Sequence, residues 1–324
     1  MRGRRAERRM TPAFVIALVL EGMHTPAAVP EQDNWTLVWS DEFDGETLDR
    51  TKWSFDVDCW GGGNDERQCY TDSVRNAQLE QGRLVITARE ETVKGVALPA
   101  RMRAGSSSPT AKVTREYSSA RLTTRGKASW TYGKIEVSAR LPQGQGTWPA
   151  IWMLPEEDRY GSWAASGEID ILEAVNLGVA CQKCPGGREN RILGTLHFGG
   201  AWPNNQHKGE EMAFSEVLDG AFHTYTLIWY PERMIWQVDG RTFAERSADE
   251  WSTSASSAPA APFDQPFHLI LNLAIGGRLA ESRGLGGVQR GGYPKRMEVD
   301  WVRVWQKGGP GISPAIGQAA ERGE

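Results

Sequence analysis

The sequence predicts an all-β fold, a β-sandwich or barrel. Three observations lead there. Short segments alternate apolar and polar residues, glycine-rich or proline-rich turns separate them, and no stretch sustains a helical period. In order, WTLVW (35–39), RLVITAR (83–89) and GKIEVSARL (133–141) alternate, the last placing Ile135, Val137 and Ala139 on one face. HTYTLIWY (223–230) and RMIWQVDG (233–240) read as a hairpin joined at Pro231 and Glu232, with a further Asp-Gly turn at Asp239 and Gly240. FHLILNLAI (267–275) is nearly all apolar, as expected of a strand buried on both faces. MEVDWVRVWQ (297–306) alternates strictly and is expected to close a sheet. Between them, RAGSSSPTA (103–111), STSASSAPAAP (252–262) and RGLGGVQRGG (283–292) are connectors.

A chain of 324 residues fits one large all-β domain. Its net charge of −4 gives no reason to expect a nucleic-acid partner. Fourteen tryptophans exceed what a core of this size needs. Most would pack internally, but flat aromatic surfaces also suit the apolar faces of sugar rings. The start, MRGRRAERR followed by AFVIALVL (13–20) and small residues, reads as an export signal over residues 1–30. It is too short to span a bilayer, and no later segment could span one. The organisation expected is a domain over 33–307 and a disordered or linker-like tail over 308–324. The four cysteines form two close pairs, Cys59 with Cys69 and Cys181 with Cys184. Local disulfides suit an exported protein, while the CxxC of the second pair also admits zinc.

The chemistry concentrates in GSWAASGEIDILEAVN (161–176), which sets three carboxylates among Ile, Leu, Ala and Val. On a strand, Glu168 and Asp170 share a face and Glu173 points the other way. If all three serve one site, the strand must gain a residue, and a β-bulge between Asp170 and Glu173 supplies it. Ile169 and Ile171 then face the core. Glu168 and Glu173 would be about 13 Å apart at Cα, at about 3.3 Å per residue. Strand curvature and long side chains can bring the carboxyls closer. Retaining glycosidases need about 5–5.5 Å between their acids and inverting ones about 6.5–9.5 Å, and a shared strand favours the shorter. Asp170 would hold the nucleophile and help keep Glu173 protonated. A calcium loop would use Asn, Asp and Gly rather than acids alternating with Ile and Leu. A solvated acidic edge would carry more Lys or Arg.

At these residues the chain resembles glycoside hydrolase family 16, in its laminarinase-like branch of endo-β-1,3-glucanases. GEIDILE fits the branch pattern E-x-D-x-x-E, whereas the lichenase-like E-x-D-x-E does not fit. WSDEFDG, YGKIEVSARLPQGQGTWPAIWMLP, GTLHFGG, PFDQPFHLILNLAIGG and MEVDWVRVW extend the likeness over about residues 35–306. The resemblance implies a β-jelly-roll sandwich with a substrate cleft on its concave face. It implies Glu168 as nucleophile, Asp170 as assistant and Glu173 as general acid/base. His197 matches a cleft histidine, Trp152 and Trp163 match sugar-contacting tryptophans, and Asn76 matches a cleft-facing asparagine. Trp148 shares a strand face with Trp152 and is either cleft or core. CWGGGNDERQCYTD (59–72) resembles the family's N-terminal cleft loop with extra Gly and two Cys, and GVACQKCPGGREN (178–190) is an insert beside the catalytic strand. Many members hold a structural Ca2+, and the matching positions are Glu42, Gly45 and Asp300; catalysis itself requires no cofactor. The expected partner is a β-1,3-glucan, acted on by a secreted or periplasmic monomer. The alternatives are a mixed-linkage β-1,3-1,4-glucanase, a galactan hydrolase of the same fold, or a non-catalytic β-glucan recognition protein.

Overall fold

The computed structural model describes residues 34–214, 220–283 and 287–308. The export segment at 1–30 and the tail beyond 308 lie outside these residues. Seventeen strands follow in chain order. The first eight are β1 (Trp35–Asp41), β2 (Ser54–Asp56), β3 (Gln68–Tyr70), β4 (Ala77–Leu79), β5 (Leu84–Val96), β6 (Lys112–Ser119), β7 (Arg121–Thr123) and β8 (Gly133–Arg140). Then come β9 (Thr147–Pro155), β10 (Glu168–Ala174), β11 (Arg191–Gly199), β12 (Asn205–Ala213), β13 (His223–Trp229), β14 (Arg233–Val238), β15 (Arg241–Ser247), β16 (Phe267–Ile275) and β17 (Lys295–Lys307). Among the described residues two short α-helices, α1 (Ala100–Arg103) and α2 (Arg278–Ser282), sit in connections. Among the described residues no helix is long and apolar enough to cross a membrane.

The strands form two sheets, the β-jelly-roll sandwich that the sequence implied. One runs β15-β14-β13-β8-β17-β5-β6-β3, with β1 on β17 and β4 on β5. The other runs β12-β11-β10-β9-β16-β7-β2. Alternation dictates what lies between them. Ile135, Val137 and Ala139 of β8, with Leu227 of β13 and Val302 and Val304 of β17, meet Ile151, Met153, Ile169 and Leu271 from the second sheet in one core. Burying these side chains removes them from water at about 1.5–3 kcal/mol each, which is the main force closing the sandwich.

The hairpin of β13 and β14 turns over residues 230–233, as its sequence requires. Asp239 (φ 50°) and Gly240 (φ 76°) both have positive φ, as a tight β14–β15 turn with right-handed strand twist demands. β16 is buried along its whole length. β17 departs from the expectation in two ways. It lies inside its sheet, between β8 and β5, rather than closing an edge. Its alternation also breaks: Met297 and Val299 are buried, then Val302 and Val304, because the register against β8 shifts between Val299 and Trp301.

Candidate active site

β10 carries the three acids. Its register against β11 shifts between Asp170 and Glu173, so Ile171 and Leu172 together face Gly194. This is the bulge that the acid spacing demanded. Ile169, Ile171 and Leu172 all enter the core, with at most 2% exposure. Leu172, which simple alternation would place beside Glu168, is thereby moved inward and Glu173 outward. The ladder bonding lost at the bulge is compensated across the sandwich. Trp236 of β14 donates its indole N–H to the Asp170 carbonyl at 2.8 Å. Gly194 makes that approach feasible, since a Cβ there would lie 2.6 Å from the Trp236 ring.

The acids point away from the core yet are recessed. The Glu168 and Asp170 side chains are only 15% and 4% exposed. Trp163 donates its indole N–H to Glu168 Oε2 at 2.6 Å. Trp148 does the same for Glu173 Oε1 at 2.9 Å. His197, directly opposite Glu168 on β11, places Nε2 3.2 Å from Asp170 Oδ2 and 3.8 Å from Glu168 Oε1.

Electrostatics raise both glutamates. Burial, then the neighbouring Asp170 charge, pushes Glu168 up to about 7 against the pull of His197 and the Trp163 indole. Burial and Asp170, with Glu168 adding, push Glu173 up to about 8. Burial disfavours a charged His197, but the Asp170 hydrogen bond and the three carboxylates outweigh it and raise the imidazole to about 10. At neutral pH the site therefore holds an imidazolium against Asp170 and Glu168, and both glutamates hold a proton more tightly than a free carboxyl does. One carboxylate able to attack and one carboxylic acid able to donate is the charge state that glycoside cleavage needs.

Trp152, Trp148, Trp163 and His197 thus all come together with the acids. Trp152 is paired with Asp170 across β9 and β10, and its indole N–H is fixed by Asn272 Oδ1 at 2.6 Å. Asn272 in turn donates to the Tyr70 hydroxyl, which contacts Glu66. Asn272 belongs to no recognisable catalytic motif. The available signal was a polar residue, with His268 four positions earlier, inside an otherwise apolar strand.

One expectation needs correction. Asn76 does not face the acids. It is 2% exposed, its amide donates to Thr87 O and Ser118 Oγ, and its Oδ1 accepts from Thr71. Every polar atom is used within the protein, so it anchors the β4–β5–β6 region. At the expected calcium positions, Glu42, Gly45 and Asp300, arginines engage both acidic side chains. Both Glu42 oxygens accept from Arg303, at 3.0 and 2.8 Å, and Asp300 faces Arg83 at 3.5 Å. The Arg303 guanidinium, held above its ordinary value chiefly by Glu42 and also by Asp300, already supplies the positive charge there.

Both cysteine pairs are disulfides, Cys59–Cys69 and Cys181–Cys184. That assigns the CxxC to a disulfide rather than to zinc. Cys59–Cys69 ties the loop that leads to Tyr70, the residue beneath Asn272.

Comparison with known proteins places this geometry. The chain is 41% identical to "Beta-glucanase" of Rhodothermus marinus, over 84% of this chain and 86% of that one. It is 39% identical to "Glucan endo-1,3-beta-glucosidase A1" of Niallia circulans over 84% of this chain, and it spans 38% of that longer relative. The solved laminarinase of Rhodothermus marinus superposes with a TM-score of 0.68 at 38% identity, covering 85% of this chain and 98% of that one. The profile of Glycosyl hydrolases family 16 matches residues 73–303, and the chain is a glycoside hydrolase belonging to that family.

Proposed function

We propose that the protein is an exported, retaining endo-β-1,3-glucanase. The observation that carries this reading is the bulged strand, which sets Glu168 and Glu173 on one face with Asp170 between them. The naming of relatives as glucan endo-1,3-beta-glucosidases and a laminarinase supports the substrate class. Two disulfides support an oxidising destination.

In this mechanism Glu173 gives its proton to the glycosidic oxygen as a Glu168 oxygen attacks the anomeric carbon. The bond from that carbon to the leaving sugar breaks, and the sugar departs as an alcohol. A glycosyl ester remains on Glu168. Glu173, now a carboxylate, takes a proton from water as the water oxygen attacks the same carbon and releases Glu168. His197 and the Trp163 indole N–H stabilise the carboxylate form of Glu168 and oppose the burial that raises it. Asp170 keeps His197 charged and Glu173 protonated.

Product analysis on laminarin, barley mixed-linkage glucan and agarose tests the reading, with Glu168→Gln as control. Laminari-oligosaccharides from the wild type, absent from the variant, are expected. Cleavage of agarose alone, or laminarin binding without cleavage of any polymer, would overturn it.

A further inference from the structure

The face that carries the acids continues across the sheet into a second feature. Asp170 pairs with Trp152, Trp152 with Ile270, Ile270 with Thr123, and Thr123 with Ser54. Directly paired residues share a face, so this row runs outward from the catalytic strand. The adjacent row runs from Glu173 through Ala150 and Asn272 to Arg121 and Asp56. Beginning at Trp152, one strand step from Asp170, and reaching Ser54, four steps or about 19 Å away at about 4.8 Å per strand, these rows line a pocket of about 220 Å³. Trp152 forms its near wall. Arg101, Arg121 and Arg125 line it together with His268.

The charges in this pocket are unbalanced. Arg121 is committed to Asp56 at 2.8 Å and Asp58 at 3.5 Å. The Arg125 guanidinium donates to the Glu156 main-chain oxygen, at 3.3 Å. The Glu156 carboxylate instead accepts from the Gly126 amide and lies 3.6 Å from His268 Nδ1. Among the described residues neither Arg101 nor Arg125 forms an ion pair, although Arg101 lies over the Trp60 ring. His268 is 3% exposed, and its Nδ1 has no hydrogen-bond partner. Burial, then Arg125, Arg101 and Arg121, lowers it to about 3, so it stays neutral and adds no charge of its own. Two unpaired guanidiniums beside an indole wall match an oxyanion carried on a sugar ring. A planar fork binds a carboxylate or sulfate through two parallel hydrogen bonds, which a neutral hydroxyl cannot reciprocate.

We propose that this pocket is a subsite for an anionic sugar unit, one bearing a carboxylate or a sulfate ester, within the polysaccharide held at the acids. The proposal rests on the glucanase reading for the backbone of that polysaccharide and adds the charged substituent. Its location on the acids' own face, beyond Trp152, makes it a selector of chain composition away from the bond cleaved.

The test compares kcat/KM on unmodified, lightly carboxymethylated and lightly sulfated laminarin. The proteins are wild type, the Arg101→Gln/Arg125→Gln double variant and the Arg101→Lys/Arg125→Lys double variant. The anionic-to-neutral ratio should fall about tenfold in the Gln variant, as expected for losing charge-assisted hydrogen bonds at a partly open site. The Lys variant should recover much of it by keeping the charge. The anionic polymer with the larger fall identifies the substituent. An equal ratio in wild type and Gln variant would overturn the subsite. Calorimetric titration of the same polymers into Glu168→Gln protein, with and without the arginine substitutions, reads binding without cleavage. About tenfold weaker anionic binding on substitution supports the pocket, and equal binding refutes it, even if no polymer is cleaved. Absence of cleavage would instead refute the glucanase reading.

Discussion

Replacing Glu173 by Gln should stabilise the folded protein at alkaline pH while removing the proposed acid catalyst. Burial, then Asp170, pushes the folded carboxyl up to about 8, against an ordinary 4.5. A raised folded value means that the contribution to stability is complete below about 4.5 and is lost as pH rises through 8. At about 1.36 kcal/mol per pH unit, ionising Glu173 in the folded state costs at most about 5 kcal/mol. Water entering the recess and the shared charge with Glu168 and Asp170 reduce this to about 2–3 kcal/mol. Gln keeps the shape and still accepts the Trp148 indole N–H through its carbonyl oxygen. Thermal unfolding of both proteins at pH 5 and pH 9 reads the effect. The variant should match the wild type at pH 5 and exceed it by about 5–10 °C at pH 9, at about 2–4 °C per kcal/mol for a domain of this size. The same offset at both pH values would refute the electrostatic account of the recess.

The remaining predictions concern the supports of the site. Trp236→Phe strands the Asp170 carbonyl at the bulge and should cost about 1–3 kcal/mol in urea unfolding. Because the bulge aims Glu173, kcat should fall while KM changes little, and a KM-only effect would contradict this. His197→Asn removes a cation 3.8 Å from Glu168, so Glu168 should hold its proton to higher pH. The acidic limb of the kcat/KM profile should then move upward by on the order of one pH unit, which an unshifted limb would disprove. EDTA should leave the melting temperature unchanged, since Arg303 and Arg83 already face Glu42 and Asp300. A drop of several degrees on chelation would restore the calcium expectation.

Local pattern explains what the sequence made legible. The spacing of Glu168, Asp170 and Glu173 with their apolar neighbours required the bulge, because only an extra residue puts all three acids on one face while Leu172 turns inward. The β13–β14 hairpin and the Asp239–Gly240 turn were likewise encoded in adjacent residues. Long-range partners were not legible. Asn76 meets Ser118 from another strand, and Glu42 meets Arg303 from the far end of the domain, so neither pairing leaves a local trace. The arginine pocket draws on β2, β7, β9, β16 and α1 and has no contiguous motif. On β16 its sequence signal is His268 interrupting an apolar strand. In β17 the break in alternation was visible, since Met297 and Val299 are out of phase with Val302 and Val304, but strict alternation was the wrong period there.

The central claim is that Glu168 and Glu173 cleave β-1,3-glucan by two successive displacements at one carbon. The most direct measurement follows the anomeric proton signals of newly formed reducing ends on laminarin by NMR, faster than mutarotation. The β-anomer should appear first, and Glu168→Gln should give no signal. First appearance of the α-anomer would mean a single displacement and would contradict the role given to Glu168.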